Sequence, residues 1–205
     1  MKNKEIRAFD FEVRAEQNDE HGHFLAGTPI VYNSRTDIGW YDETIERGAL
    51  DAADLRDVRF LINHNTDMIP LARSRNNNEN STMQLEVTDD GMNIRVDLDV
   101  ENNAEAKALY SAVERGDLSG MSFMFTVDAD AWDDLESDHP TRHIERLGKV
   151  FEVSAVTFPA YEATTISARG LDDALDSARL SLESAKAEKK ALELQKQRIR
   201  ILKGV

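Results

Sequence analysis

The sequence predicts an α+β domain built on a twisted antiparallel β-sheet or barrel, followed by a long C-terminal helix. Three observations support this prediction: segments in which apolar and polar residues alternate, a clear β-hairpin, and a final stretch composed almost entirely of helix-forming residues. We therefore assign residues 1–170 to a core domain and residues 171–205 to a helical extension.

Alternating side chains predict the first strands. Residues 4–14 place Phe9, Phe11 and Val13 between charged neighbours, which is the period of a half-buried strand. A second apolar run over residues 24–32 is interrupted by a glycine and a proline, which suits a bulged strand or an edge strand.

The following segment is expected to form a short helix and one further strand. The helix should follow the stretch that begins at Tyr41 and should end at Asp54. Residues 58–62 then return to strand character and place His64 directly after the strand.

The hairpin and a helix occupy the middle of the chain. Residues 83–87 and 92–100 alternate on either side of an Asp-Asp-Gly turn, a sequence that tolerates positive φ. Asn102 can cap a helix over residues 103–115, and Gly116 can end it.

The chain beyond this helix is expected to form a strand that begins near Ser122, then a loop and two more strands. Residues 128–140 are acidic and contain a proline, which indicates an exposed loop. Strands are expected around residues 143–147 and over 150–158.

The C-terminal stretch has no proline after Gly170 and no glycine until Gly204, so we expect one long helix. Apolar residues and alanines recur along it in steps of three and four: Leu171, Leu175, Ala178, Leu182, Ala185, Leu192 and Ile199. Two lysines interrupt this stripe, and residues 186–203 are mostly basic whereas the first half is acidic. The pattern predicts a weak coiled coil or a helix that packs against the core.

Composition narrows the range of functions. A net charge of −14 argues against binding to nucleic acid or to an anionic membrane through overall charge. The absence of cysteine excludes disulfides, thiolate zinc sites and cysteine nucleophiles. No apolar run approaches the ~20 residues that a membrane-spanning helix needs, and no apolar stretch follows the first residues as in a secretory signal. We expect a soluble, intracellular protein with no nucleic acid or membrane partner.

Three strand-like runs each carry one residue suited to serine chemistry. Ser122 lies at the start of a strand, His64 at the end of another, and Glu152 inside a third. A serine hydroxyl becomes a good nucleophile when an imidazole accepts its proton and a third group orients that imidazole. Each residue also has an ordinary structural explanation, such as a turn serine, a hydrogen-bonded histidine, or a Glu152–Arg146 ion pair.

Metal and nucleotide chemistry are less well supported. His21 with His23, and His139 with His143, have spacings that can bind zinc, but both pairs lie in or beside polar loops without a metalloprotease motif. The chain also has no glycine-rich phosphate loop. We therefore expect no metal and no cofactor.

Four ordered blocks of the chain resemble the prohead maturation proteases of tailed bacteriophages, serine peptidases that share a fold with herpesvirus assemblin. The blocks are residues 41–50, which end in Gly-Ala-Leu, the strand before His64, residues 116–125, and residues 152–160. The resemblance covers roughly residues 5–168. It implies an assemblin-like sheet or barrel of about six or seven strands with flanking helices, so that residues 1–170 would be the serine peptidase core.

The resemblance also implies roles for particular residues, with His64 as general base and Ser122 as nucleophile. Glu152 is the first choice for the third member. His143 is the alternative, because assemblin-like enzymes use a second histidine. Ser119 is an alternative nucleophile, but the family pattern places the active serine directly before the aromatic residue of the strand. Oxyanion donors could come from Arg73 and Arg75 or from backbone amides near Met121.

The resemblance further implies a substrate and a place of action. The substrate would be the scaffolding segment of the major capsid protein, and the protease itself, cleaved inside the immature prohead in the host cytoplasm. The extension over residues 171–205 lies outside the resembling core, and we expect it to direct the enzyme into the prohead or to mediate self-association as a homo-oligomer. Its removal should then spare peptidase activity but reduce incorporation into particles. The competing function is a non-catalytic capsid assembly or scaffolding protein, for which acidic charge and the C-terminal helix would suffice.

Overall fold

The computed structural model describes residues 4–9, 13–19, 22–157 and 168–203, and these residues form eleven strands and two helices. The strands are β1 (Lys4–Phe9), β2 (Val13–Asn18), β3 (Gly22–Val31), β4 (Thr36–Asp37), β5 (Asp42–Ile45), β6 (Arg59–Ile62), β7 (Ala72–Arg73), β8 (Met83–Val87), β9 (Gly91–Asp97), β10 (Gly120–Asp133) and β11 (Thr141–Val156). The helices are α1 (Ala104–Glu114) and α2 (Ala168–Lys203).

Strand β11 organises the larger sheet. It pairs antiparallel with β10 along most of its length, and it pairs parallel with β5 near its start and with β6 near its end. Strand β1 pairs with the other edge of β10, while β4 and β7 extend from β5 and β6. The predicted α+β class is confirmed, and the seven-stranded sheet is a mixed, open, twisted sheet rather than a closed antiparallel barrel.

A second sheet of four antiparallel strands follows the order β2-β3-β9-β8 and contains the predicted hairpin. The pairing of β3 with β9 shifts register between Gly27 and Ile30, which confirms the expected bulge. Gly91, at the start of β9, has a φ of 148°, and a Cβ atom there would lie 1.9 Å from the carbonyl oxygen of Ile30. Only glycine fits this close approach between the strands.

One buried apolar cluster joins the two sheets and α1. It includes Leu25 and Met92 from the smaller sheet, Phe123 and Val153 from the larger sheet, and Leu109 from α1. Each fully buried side chain of this size contributes about 1.5–3 kcal/mol to folding. Packing of this cluster therefore holds the larger sheet against the rest of the domain.

Helix α1 begins one residue later than predicted. The side chain of Asn103 caps it by accepting hydrogen bonds from the backbone N–H groups of Glu105 and Ala106. Asn102 lies outside the helix and donates from its side chain to Asp99. Either asparagine suits a cap by residue type, so the choice depends on the turn that precedes the helix.

Three predicted elements were wrong in detail, for a common reason. The short helix expected to end at Asp54 is absent, because this segment bonds to β11 through its backbone: the Ala49 carbonyl accepts the Leu147 N–H, and the Asp54 N–H donates to the Gly148 carbonyl. The first part of the loop predicted over residues 128–140 continues β10 as far as residue 133, and only residues 134–140 form the connection to β11. The two strands expected between residues 143 and 158 are one strand, β11, with residue 158 outside the described part. Pairing between distant strands overrides local propensity in each case.

A buried cluster of charged side chains lies between β1, β5, β10 and β11. Arg142 donates to Glu5 at 2.8 Å and to Asp130 at 2.7 Å, while Arg7 donates to Glu5 and Glu43. Burial alone would raise the pKa of Glu5, but the two arginines more than offset it and hold that pKa below its ordinary value. The ionised Glu5 carboxylate therefore stabilises the folded state at neutral pH, and this contribution is lost as the pH falls through the folded-state pKa of Glu5.

The first half of α2 covers this cluster. Ala178 and Leu182 pack against Tyr41 and Trp132, and Ser181 receives a hydrogen bond from the Trp132 ring N–H at 3.0 Å. Ser181 in turn donates to Asp130 of the charged cluster. Burial raises the pKa of Tyr41 to about 12, so its hydroxyl stays neutral beneath the helix.

The second half of α2 leaves the core. Leu192 and Ile199 are about half exposed, in contrast to the buried apolar residues nearer the start of the helix. Of the two predictions for this helix, a weak coiled coil or packing against the core, packing against the core therefore holds for the first half only. Within the described residues, no helix is both long enough and apolar enough to cross a membrane.

Replacing Leu182 by alanine should test how much the packing of α2 stabilises the core. Leu182 is 7% exposed, so we expect Leu182→Ala to lower the free energy of unfolding by about 2–3 kcal/mol, or the melting temperature by about 5–10 °C. Leu180, two residues away and 69% exposed, is the matched control. Leu180→Ala should change the free energy of unfolding by less than about 0.5 kcal/mol. Equal effects of the two variants in urea unfolding would contradict this packing.

The charged cluster predicts a second contrast along β11. Arg142→Met removes a cation that contacts both Glu5 and Asp130, and we expect a loss of about 3 kcal/mol or more, because buried carboxylates lose a partner. Arg146, exposed on the same strand, is the control, and Arg146→Met should have an effect within about 0.5 kcal/mol. Chemical unfolding at pH 7 measures the stability of both variants. An Arg142→Met variant as stable as the wild type would show that the charged cluster does not stabilise the fold.

Candidate active site

His64 lies in a tight turn directly after β6. Asn63 and His64 both have positive φ, 50° and 55°, which is uncommon for residues other than glycine. The side chain of Asn63 holds this turn through hydrogen bonds with the backbone N–H and the hydroxyl of Thr157, and the Asn63 backbone N–H donates to the Ala155 carbonyl. The turn is thereby fastened to β11 and to the residue that follows it, and the His64 ring is directed back over the sheet.

The His64 ring contacts Glu152 of β11. The Nδ1 atom lies 2.6 Å from the Glu152 Oε1 atom, and both side chains are buried, with exposures of 7% and 3%. An ionised carboxylate can only accept a hydrogen bond, so Nδ1 carries the proton of this pair. In the neutral ring, Nε2 is then the nitrogen that can accept a proton. The alternative ion pair with Arg146 is absent, because Arg146 is exposed and Glu152 faces His64.

Ser154 joins the same group of side chains. Its hydroxyl donates to the second carboxylate oxygen of Glu152 at 2.5 Å and accepts the backbone N–H of His64 at 3.1 Å. The side chain is fully buried. Both oxygens of Glu152 are therefore engaged, one by the His64 ring and one by Ser154.

Ser122 lies on the neighbouring strand β10. In the antiparallel register it stands directly opposite Ser154, and Met124 stands opposite Glu152. Directly opposed residues share one face of a sheet, with Cβ atoms about 4.5–5.5 Å apart. The fully buried Ser122 hydroxyl donates to the backbone carbonyl of Arg7 on β1 at 2.7 Å, so its proton is not directed at His64.

The structure thus places Ser122 and Glu152 on the same sheet face and brings His64 into contact with Glu152. The alternative residues lie elsewhere. His143 is nine positions from Glu152 along β11, about 30 Å in an extended strand, and its ring contacts Glu46 at 2.7 Å. Ser119 directly precedes β10, and its side chain is exposed between two buried neighbours.

The histidine pairs with metal-binding spacing have separate contacts. His139 contacts Asp42, whereas His143 contacts Glu46. His23 packs its ring edge-on against Tyr110, and His21 lies outside the described residues. Asp37, Asp42 and His139 bring potential ligand atoms within 4.8 Å of one another. The Arg35 side chain donates a hydrogen bond to Asp42 there and balances its negative charge, so this carboxylate does not need a metal ion as its partner.

The arginines considered as oxyanion donors already have partners. Arg73 forms two hydrogen bonds with Asp57, at 2.6 Å and 2.9 Å. Arg75 donates to the backbone carbonyl of Asn80. Either guanidinium would have to release its present partner before it could stabilise a developing negative charge.

A surface depression adjoins the turn that carries His64. It lies between that turn and α1, and most of its lining is apolar, with one carboxylate. The lining residues are Ile62, Asn63, Asn65, Met68, Glu105, Ala108 and Leu109. A depression of this kind next to the His64 turn could receive one side chain of an extended peptide.

Two contacts of this site were not anticipated. Ser154 follows Glu152 by two positions, and in a strand this spacing places both on one face, so the spacing could have indicated it. The Arg7 carbonyl is a backbone group on a strand 115 positions away from Ser122 in sequence, and no side-chain pattern marks it.

Comparison with known proteins identifies the family. The family model of the caudovirus prohead serine proteases matches residues 9–177 of this chain. This span includes His64, Ser122 and Glu152. No curated protein and no solved structure matches the chain. Because the match covers most of the chain, the resemblance inferred from the four sequence blocks is confirmed, and the chain belongs to the caudovirus prohead serine protease family.

Proposed function

We propose that this protein is a serine endopeptidase in which Ser122 is the nucleophile, His64 the general base and Glu152 the group that orients His64. The 2.6 Å contact between His64 and Glu152, on the sheet face that also carries Ser122, is the observation that supports these roles. In this chain, these three residues would carry out the chemistry of a caudovirus prohead serine protease.

The first step is a reorientation of Ser122. Rotation about χ1 takes the hydroxyl from the Arg7 carbonyl towards the Nε2 atom of His64. A hydrogen bond of this kind is worth about 1 kcal/mol net, so its loss is a small barrier compared with the chemical step. Catalytic hydrogen bonds commonly tighten only when substrate binds, which is consistent with the orientation of Ser122 in the substrate-free protein.

Acyl transfer then proceeds in two halves. His64 takes the Ser122 proton as the oxygen attacks the peptide carbonyl, and the resulting imidazolium is stabilised by Glu152. The imidazolium returns the proton to the leaving amine, and an ester to Ser122 remains. His64 next activates a water molecule that hydrolyses this ester. Donors for the oxyanion come from backbone amides near Met121, or from Arg73 or Arg75 after release of their partners.

The substrate is the scaffolding segment of the major capsid protein, with the protease itself as a second substrate. Both are cleaved inside the immature prohead in the host cytoplasm. Membership of the caudovirus prohead serine protease family supports a capsid-protein substrate. The depression beside His64 is the place for one substrate side chain.

The C-terminal helix has two parts in this proposal. Residues 1–170 form the peptidase core, but residues 175–185 of the extension pack on that core through Ala178 and Leu182. The exposed part from residue 186 onwards therefore remains for delivery into the prohead or for self-association. Removal of the exposed part alone should spare peptidase activity, whereas removal of the whole extension would also uncover Trp132.

Expression with the cognate capsid protein tests the proposed nucleophile. Ser122→Ala should abolish loss of the scaffolding segment, as measured by intact-protein mass spectrometry, because no other hydroxyl takes over the attack. Ser119→Ala is the matched control and should leave cleavage unchanged. Undiminished cleavage by Ser122→Ala would refute the assignment of the nucleophile, whereas no cleavage by the wild type would favour the non-catalytic assembly function.

Filling the depression beside His64 tests its role in substrate binding. Ala108 is exposed on α1 and lines the depression, so Ala108→Trp should slow capsid-protein cleavage about tenfold, the equivalent of ~1.4 kcal/mol of lost substrate contact. Labelling of Ser122 by a small fluorophosphonate should remain within about threefold, because the reagent does not need the depression. Lys107→Trp, exposed but outside the lining, controls for a surface tryptophan. A parallel fall in cleavage and labelling would indicate damage to the catalytic groups instead.

A further inference from the structure

We infer that Ser154 is a positioning residue that holds the His64–Glu152 pair in its active arrangement. This inference rests on the proposed function, because it concerns the same serine chemistry. It assigns a defined task to a hydroxyl that lies directly opposite Ser122 in the sheet but does not itself react.

The first support is that Ser154 completes the hydrogen bonds of Glu152. The His64 ring occupies one carboxylate oxygen at 2.6 Å, and Ser154 donates to the other at 2.5 Å. A carboxylate held at one oxygen can still turn about its terminal torsion, which is broad and roughly two-fold. A donor on the second oxygen fixes the plane of the carboxylate, and with it the direction of the His64 ring.

The second support is that the same hydroxyl also restrains the His64 backbone. The Ser154 oxygen accepts the His64 N–H at 3.1 Å, at a residue whose φ is 55°. Such a conformation is unfavourable for a residue with a side chain and persists only where surrounding contacts impose it. Ser154 thus contacts the base at its backbone and the acid at its side chain, and links the two.

The third support comes from the chemistry of the hydroxyl group. A serine has one proton to donate and two lone pairs that can accept, so it can serve both contacts at once. The side chain is fully buried, and water cannot readily take its place. Groups that orient a metal-binding residue from behind typically change affinity or activity about 10- to 100-fold when removed, and we expect an effect of the same order for a group that orients a general base.

The test uses a fluorophosphonate probe, which reacts with an activated serine and needs no natural substrate. Ser154→Ala should lower the second-order rate of Ser122 labelling about 10- to 100-fold. Ser154→Thr, which keeps the hydroxyl, should label within about threefold of the wild type, and Ser154→Val, which has the same shape without the hydroxyl, should match Ser154→Ala. The Thr and Val pair keeps the test valid if the alanine variant folds poorly. Equal labelling of Thr and Val variants would overturn the inference.

A second comparison separates positioning from simple loss of a buried hydroxyl. Ser74 is fully buried, and its hydroxyl has no hydrogen-bond partner within the described part of the chain, so Ser74→Ala should label at the wild-type rate. If Ser154 acts through Glu152, most of the loss caused by Ser154→Ala should disappear when Glu152 is already alanine. Losses that multiply in the double variant would show a structural role and overturn the inference.

The outcomes also separate this inference from the proposed function. Labelling of Ser122→Ala at the wild-type rate would mean that the proposed nucleophile is wrong. No labelling of Ser122→Ala, together with wild-type labelling of Ser154→Ala, would leave the proposed function intact and refute the role of Ser154 alone. Urea unfolding of every variant establishes that labelling is measured on folded protein.

Discussion

The pairing of β11 with three other strands is the constraint on which the rest of the structure depends. Its first half places Arg142 among the buried carboxylates, and its second half carries Glu152 and Ser154. Antiparallel pairing with β10 fixes where Ser122 stands relative to these residues. A slip of one residue would turn every side chain of β10 to the opposite face. Core stability and the geometry of the candidate active site are therefore set by the same register.

Much of the candidate site could be predicted from the sequence, because each of its three main residues stands in a recognisable sequence context. Ser122 follows a glycine at a strand start, His64 ends an apolar run, and Glu152 is a carboxylate among buried neighbours. The family match covers the part of the chain that contains all three residues. What periodicity could not supply was the parallel pairing of β11 with β5 and β6, since pairing between distant strands leaves no local signal.

The errors in the fold prediction have the same origin. The acidic segment at the end of β10 predicts an exposed loop, because charge usually indicates exposure. Asp128 and Asp133 are exposed, but they lie on a strand. Asp130 instead contacts the buried Arg142, and Trp132 packs beneath α2. A charged residue can lie inside a protein when its partner is there too. That partner belongs to another strand, and only the folded arrangement reveals it.

The hydrogen bond from Ser122 to the Arg7 carbonyl has a consequence for mutational studies. A main-chain oxygen is present whatever residue occupies position 7, so this contact persists through side-chain substitutions that leave β1 in place. A scan that replaces residues one at a time would find Arg7 through its ionic partners and would overlook its carbonyl entirely. Main-chain chemistry, such as an ester in place of the amide after Arg7, would weaken the acceptor and make this contact visible.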